Sequence, residues 1–497
     1  MKNSLTQFRL VSFLVLMAIA NSGISQSGQP VWISTGDYVS PSFLLETPER
    51  YVLGTLTSKL KPDGSYGDPF IDWGSIIIAT DKSLQIQDSI FIQFIDDWYV
   101  MIFQSKLLNN GQILLTGPAC HIITKEYKMG MIWLDESLNI LHDTLIGIEN
   151  HRIDPSGSVI INQAGKLVSW GSVLPTKGSS DEALSNEYFF IEMEQNGTIL
   201  NYLVQSLEAA PYYLLPVGSD KYHSWAWNNR IVQLNSDFSY DTTYTLSLPE
   251  QIYLWRTQAY NNQSYFLLGD YSHAESGYLD IDLAVLHVDS TANVLNTFVF
   301  GFKGEMDGGT AVSYFHPDTL FVGGARKIEP FPVDSNDFNH LFVHKTTISG
   351  EIVSTAFFGI NGQVNLGGLL ATSDGGCIMS GTYNDFLTYP DSNIRDVFLV
   401  KMDANGTITR LDESKLQLHP QKYLVYPIPA KDHLMIRSKD SFRTRASFFN
   451  ANGVLITSLD FVSNAEIDVS GFQPGVYFLQ LIQQDGYSET KKLLIKN

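Results

Sequence analysis

Carboxylates beside aromatic rings are the residues of this chain whose types and spacing could do chemistry. Asp96-Asp97-Trp98 is the sharpest local cluster, two acids next to an indole. Such a group could bind a sugar, with the flat ring stacked on it, or serve as a general acid and base. Neighbouring residues on a strand point to opposite faces, so Asp96 and Asp97 are expected to diverge on an extended segment. Trp73 and Asp280 sit in similar long connections between apolar runs. So do Asp63, Asp68, Asp181, Glu182, Asp334, Asp337, Asp391 and Asp396. Calcium takes carboxylate and carbonyl oxygens from such connections. It is the one ion this composition suggests as a cofactor, although no dense D-x-D-x-D-G ligand spacing occurs.

The other reactive residue types form no pattern. There is no H-E-x-x-H, G-x-S-x-G, Walker loop or C-x-x-C. The 11 His are scattered, and His340 and His344 share only one face of a strand. Cys120 and Cys377 fall in repeat units that are not neighbours, so two free, mostly buried thiols are expected. All eight Trp lie before residue 260. Trp133, Trp170 and Trp225 sit inside strand patterns, where packing explains them.

The elements that would position these groups are repeated. One unit recurs: an alternating apolar strand ending near Gly, a variable loop, a second apolar strand ending in a turn, and a third strand. The clearest copy runs from Ser373 to Ile408. Anchors fall at Gly54, Gly117, Gly171, near Trp225, and at Gly269, Gly323 and Gly381, spaced by 44 to 63 residues. Period-2 alternation with Gly and Asx at the turns reads as strands and hairpins. Each spacing suits one four-stranded blade, so the expected fold is all-β, a seven-bladed β-propeller. The fourth strand of a blade is the segment before each turn, such as Trp98 to Leu108 before Asn109-Asn110-Gly111. Val31 to Ser34 is a candidate strand for closing the ring. Short hairpins then occupy one rim. The other rim takes the long connections, whose 16 acids against 8 bases would focus cations.

Composition agrees. The 497 residues carry a net charge of −20, with 44% hydrophobic residues and 2 Cys. That excludes a nucleic-acid partner, which needs a basic stripe, and a disulfide framework. Lys2, Arg9 and the apolar run Leu10 to Ala20 read as a Sec signal peptide over residues 1–25, cleaved between Ser25 and Gln26. Nothing later is apolar enough to span a membrane, so the mature chain has no transmembrane segment. Residues 421–497 carry a net charge of +2. Their short strands read as a small Ig-like β-sandwich behind a propeller over residues 26–420.

Two resemblances add to this. The repeat unit, with Thr372-Ser373-Asp374-Gly375-Gly376 and Asp396 to Gly406, resembles the repeat β-propellers of exported Bacteroidota proteins. The tail segments YPIPAKDHLMI, FNANGVLI, IDVSGFQPGVYFLQL and KKLLIKN resemble the type A C-terminal sorting domain of type IX (Por) secretion. Tyr426, Pro427, Pro429, Asp432, Gly453, Asp468, Gly475, Tyr477, Lys491 and Lys492 carry the match, and Ile428 stands where that family usually has Asn. The resemblance implies Sec export, handling by the type IX secretion machinery, and an extracellular or outer-membrane-surface address. Thr372-x-Asp374-x-Gly376 is also similar to the Asp box of sialidases. Met379 stands where that box needs an aromatic, and no Arg trio accompanies it, so the segment is read as a hairpin turn.

Function is read from these parts. The first reading is a non-catalytic binding or scaffold module on the cell surface, with a glycan or a surface protein as partner and Asp96, Asp97, Trp98, Trp73 and Asp280 as ligand contacts. The alternative is a secreted carbohydrate-active or other hydrolase using rim carboxylates. A structural component of an envelope or gliding assembly is the third.

Overall fold

The computed structural model describes residues 31–33, 38–58, 73–149, 151–174, 186–226, 229–273, 280–314, 318–328, 339–359, 362–384, 395–407, 423–426, 430, 432–438, 442–450, 454–484 and 488–495. The proposed cleavage site at Ser25 and Gln26 lies outside them. So do Pro427, Pro429 and Gly453 of the tail, and the loop acids Asp63, Asp68, Asp181, Glu182, Asp334, Asp337 and Asp391.

The chain enters as β1 (Val31–Ile33) and then builds sheets one after another. The first sheet is β2 (Tyr38–Glu46), β3 (Arg50–Ser58), β4 (Trp73–Asp81) and β5 (Ile86–Ile92). The second holds β6 (Phe94–Ile95), β7 (Trp98–Val100), β8 (Gln104–Leu107), β9 (Ile113–His121), β10 (Tyr127–Leu134) and β11 (Ile140–Ile146). The third is β12 (Arg152–Ile161), β13 (Leu167–Leu174), β14 (Glu187–Met193) and β15 (Ile199–Ser206). The fourth is β16 (Tyr213–Val217), β17 (Lys221–Ala226), β18 (Arg230–Asn235) and β19 (Tyr240–Thr245). The fifth is β20 (Ile252–Asn261), β21 (Ser264–Ser272), β22 (Ile281–Asp289) and β23 (Val294–Phe300). The sixth is β24 (Gly308–Tyr314), β25 (Thr319–Arg326), β26 (His340–Thr347) and β27 (Ile352–Phe358). The seventh is β28 (Gln363–Ala371), β29 (Cys377–Asn384) and β30 (Asp396–Met402), completed by β1, with Trp32 opposite Phe398. The chain start therefore supplies the outer strand of the last sheet, and the ring is closed by strand pairing.

Packing runs in the same cyclic order. Val52 and Ile77 of the first sheet share a core with Leu115 and Ile132 of the second. Met131 and Trp133 pack on Leu167 and Phe189 of the third. Trp170 and Phe190 meet Tyr222 and Val232. Trp225 and Ile231 meet Leu267 and Leu286. Phe266 and Leu283 meet Val322 and Phe342. Phe321 and Val343 meet Met379 and Phe398. Val397 and Ile33 return to Leu53 and Ile78 of the first sheet. This is a β-propeller. Its cores lie between sheets, and each fully buried large side chain contributes roughly 1.5–3 kcal/mol.

Two backbone devices explain the repeat. The turn after the third strand is the same seven times: residue X donates to the carbonyl of X+4, and X+3 donates back to X, as at Asp81, Asp135, Glu194, Asn235, Asp289, Thr347 and Asp403. Residue X+3 is left-handed each time, as Gly at 197, 350 and 406 and as Leu84, Leu138, Phe238 and Ala292 elsewhere. Where X is Asp, its Oδ1 accepts from the N–H groups two and four residues on, as in Asp289 to Thr291 and Asn293. The anchor glycines have a different cause. The inner strand bulges opposite them, as between Leu254 and Arg256 facing Gly269. A Cβ there would come within 1.9 Å of the Tyr253 carbonyl oxygen. The fourth sheet has Trp225 in place of the glycine, and its inner ladder has no register shift.

The second sheet departs from expectation. Trp98 to Leu108 is not one strand but β7 and β8, both paired to β9. The chain bends inward at Met101, whose carbonyl oxygen would lie 1.6 Å from a Cβ on Gly117. Ser75 Oγ then accepts from Ile102 N at 2.9 Å.

The tail contains β31 (Tyr423–Tyr426), β32 (His433–Ser438), β33 (Arg443–Asn450), β34 (Leu455–Val462), β35 (Asn464–Asp468), β36 (Gly475–Gln483) and β37 (Ser488–Ile495). A three-stranded sheet, β31-β32-β35, and a four-stranded one, β34-β33-β36-β37, enclose one core around Leu434, Phe448 and Leu479. Among its motif residues, Tyr426 ends β31, Gly475 opens β36, and Lys491 and Lys492 lie on β37. Tyr477 is buried and donates from its hydroxyl to Gln473 O at 2.8 Å. Asp432 O accepts from Val469 N, and Asp468 Oδ1 caps Ser470 N at 2.9 Å. Among the described residues, no helix is long and apolar enough to cross a membrane.

Candidate functional site

In this fold the first-to-second and third-to-fourth strand turns share one rim. The second strands end and the third strands begin at the other, where the sequence expects the acidic connections. Two acidic groups on that second rim are described.

The first is the Asp96-Asp97-Trp98 cluster. It forms the tip and exit of the β6–β7 hairpin, with Ile95 opposite Trp98. The expectation of diverging strand residues is corrected. Asp96 is a left-handed turn residue with φ 50°, because two residues must reverse the chain. Both acids are exposed. Trp98 is half-buried, and one face already carries the Lys128 ammonium, 4.7 Å from the ring centroid. His121 meets it edge-on at 5.1 Å. Asp143 on β11 feels this tip: burial, and then the Asp96 charge, push its carboxyl up. Trp73 opens β4 in the neighbouring sheet, opposite Ser58, and its carbonyl accepts from Gln93 Nε2 at 3.1 Å.

The second group surrounds Asp280. Strands β21 and β22 pair with Ser272 opposite Ile281 and Tyr271 opposite Asp282. One step further, His273 N donates to Asp280 O at 3.0 Å. Alternation then puts Tyr271, His273, Asp280 and Asp282 on a single face. His273 Nε2 lies 2.8 Å from Asp282 Oδ2, and Tyr271 meets the imidazole edge-on at 4.9 Å. One donor atom from each of His273, Asp280 and Asp282 fits in a group no wider than 4.8 Å.

A strap from the link to the sixth sheet pairs beside the start of β22, as a parallel bridge between Ile281 and Met306. Ile281 N donates to Glu305 O, and Asp307 N donates to Ile281 O at 2.8 Å. Asp307 is fully buried and accepts from Phe302 N at 2.8 Å and Lys327 N at 3.3 Å. Burial, and then Glu305 and Asp282, push its carboxyl up to about 7. Glu305 is neutralised by Arg326, whose Nη2 donates to it at 2.6 Å. Gly301 sits directly against Asp282: a Cβ there would lie 1.8 Å from Oδ1. Asp270, one residue before Tyr271, is also raised to about 7, by burial.

The two groups differ in accessibility. Asp280 is 7% exposed and Asp282 9%. The Oδ1 atom of each has no hydrogen-bond partner among the described residues. A sugar ring has no room between carboxylates this close and this buried, since paired glycosidase carboxyls stand ~5–10 Å apart across their substrate. Sequence reasoning selected Asp280 but missed His273, Asp282 and Asp307. Asp280-Ile281-Asp282 at a strand entry, with a His seven residues earlier across a hairpin, was the available signal. Asp307 comes from the next repeat and had none. His340 and His344 form no such site; His344 is buried, bonded to Thr355 Oγ1 at 2.8 Å, and pushed down to about 4 by burial. Cys120 and Cys377 are free and buried. Asp374 caps its hairpin, accepting from Thr372 Oγ1 at 2.6 Å and Gly376 N at 3.2 Å.

Comparison with known proteins locates the tail. Residues 424–496 match the secretion system C-terminal sorting domain. No curated protein matches the chain. Among solved structures, the chain is similar to a fungal alcohol oxidase of the AA5 family in complex with copper, at TM-score 0.42 and 11% identity, covering 96% of this chain and 100% of that one. It is similar to the WD40 β-propeller domain of Doa1 at 0.42 and 11%, covering 75% and 96%. It is similar to BamB from Moraxella catarrhalis at 0.33 and 9%, covering 76% and 98%. Likenesses of this size carry no inference about activity. The sorting domain directs the chain through type IX secretion to the cell surface or extracellular space.

Proposed function

We propose that this secreted propeller is a non-catalytic binding module that presents its long-connection rim to a glycan or a surface protein. The boundaries we assign are a signal at 1–25, the propeller at 26–420 and the sorting domain at 421–497. The observation that carries the reading is a ring of sheets closed by strand pairing and joined to a sorting tail, in a sequence whose long connections are expected on one rim. Long loops on a rigid scaffold are the usual carriers of recognition. Asp96, Asp97, Trp98 and Trp73 are the residues of that rim assigned to ligand contact, whereas Asp280 is too buried to reach a glycan or a protein. The buried carboxylates around Asp280 support binding over hydrolysis, because no substrate bond can pass between them.

Exported protein, screened on a glycan array and by pull-down from surface extracts, is expected to capture a saturable ligand. Trp98→Ala with Asp97→Asn is expected to weaken that capture. Turnover of the captured ligand would overturn the non-catalytic reading. Absence of any saturable ligand would overturn the binding reading.

A further inference from the structure

We propose that His273, Asp280 and Asp282 bind one divalent first-row transition cation, of the zinc or manganese class, at the rim end of the fifth-sheet face that Tyr271 and Ala284 turn toward the fourth sheet. Three independent features converge there. Asp280 is more than nine-tenths buried and the Asp282 side chain is 12% exposed, and each keeps an oxygen without a hydrogen-bond donor among the described residues. Burying an ionised carboxylate costs several kcal/mol unless a positive partner compensates it. The fully buried Asp307 adds a third acid beside the start of β22.

The spacing suits an ion. Two ligands at right angles, each about 2.0–2.2 Å from a metal, stand about 3 Å apart. His273 Nε2 and Asp282 Oδ2 are 2.8 Å apart. The whole donor group spans at most 4.8 Å. The room is also shaped: Gly301 leaves space that any side chain would take from the Asp282 carboxylate. Asp280 and Asp282 lie at and beside the start of β22, and the strap at 305–307 is hydrogen-bonded there at Ile281.

Donor chemistry selects the cation. An imidazole nitrogen with carboxylate oxygens suits zinc or manganese, whereas calcium and magnesium prefer all-oxygen sets. The His273 side chain is 39% exposed and that of Asp282 12%. Solvent therefore reaches the group from the His273 side, where water would complete the coordination. This inference does not rest on the glycan or protein ligand proposed above. Either can fail alone.

The test uses the full mature chain, stripped with a chelator and dialysed. Titration with Zn2+, Mn2+ and Ca2+ by calorimetry, with metal analysis of the isolated complex, is expected to give one zinc or manganese ion per chain. Calcium is expected to bind at least tenfold more weakly. Asp282→Asn and His273→Gln are expected to lose at least about 100-fold in affinity, the upper end of losses seen for outer partners of metal ligands. Asp237→Asn, on an exposed hairpin of the other rim, is expected to retain it. Circular dichroism checks that each variant is folded. A Co2+ derivative supplies a second readout, because its visible spectrum is expected to change in His273→Gln. No cation bound at micromolar concentration, equal binding by the variants, or a preference for calcium would each overturn the proposal.

Discussion

The Asp96–Asp97 hairpin and the Asp280–Asp282 hairpin face the same rim and use the same residue type, yet their surroundings oppose each other. At the first, two adjacent acids sit on an exposed turn and stay solvated. At the second, two acids separated by one residue share a strand face and are buried beside a histidine. Spacing decides the difference. Consecutive residues can converge only at a chain reversal, which is open to water. Residues two apart share a sheet face, which a neighbouring blade can cover. Carboxylate density along the sequence is therefore a poor guide to site chemistry, and strand periodicity is a better one.

Four outcomes would sharpen or break that contrast. The largest effect is expected at Asp307→Ala, which leaves the half-buried N–H groups of Phe302 and Lys327 without this acceptor; a loss of roughly 2–4 kcal/mol is expected in urea unfolding. Gly301→Ala comes next. Its methyl collides with Asp282, and a cost of about 1–3 kcal/mol is expected from overpacking. A neutral result there would mean that the carboxylate is not held as described.

The third outcome concerns pH. The Asp270 carboxyl keeps its proton to about pH 7 in the folded chain, against 3.8 ordinarily. The folded state then binds more protons than the unfolded state between these values, so stability falls as pH rises through that window. His344, pushed down by burial, contributes with the opposite sign, so the readout is the difference between chains: in chelator-containing buffer, the Tm of the parent minus that of Asp270→Asn is expected to be larger at pH 5.5 than at pH 8. Asp307, raised in the same direction, leaves a residual slope in that variant. The smallest effect belongs to the exposed hairpin: Asp96→Asn and Asp97→Asn are each expected to stay within about 0.5 kcal/mol of the parent. A large loss at either would erase the distinction between the two groups.

Much of the ring was legible in the sequence. The polar residue that closes each third strand opens a hydrogen-bonded turn whose fourth residue is left-handed, and the anchor glycines mark where an inner strand bulges into its neighbour. Both are local, so both repeat visibly. The fourth unit was faint because Trp225 faces an unbulged strand and needs no glycine. The tail was legible as alternating strands with motif turns. The cation-ligand group was half legible: His273 and Asp282 follow from hairpin register, but the loop between them separates them in sequence. Asp307 was not legible, because the strap that carries it is folded onto Ile281 by contacts between sheets. The inward bend at Met101, which splits the expected strand, was hidden for the same reason.

The most direct test of the contrast is a crystal structure of the mature chain grown with Zn2+ or Mn2+, with anomalous data collected at the metal edge. One strong peak is expected within coordination distance of His273 Nε2 and the carboxylates of Asp280 and Asp282, with no peak at the Asp96–Asp97 turn. An anomalous map without a peak at the buried group, or with its strongest peak at the exposed hairpin, would contradict it.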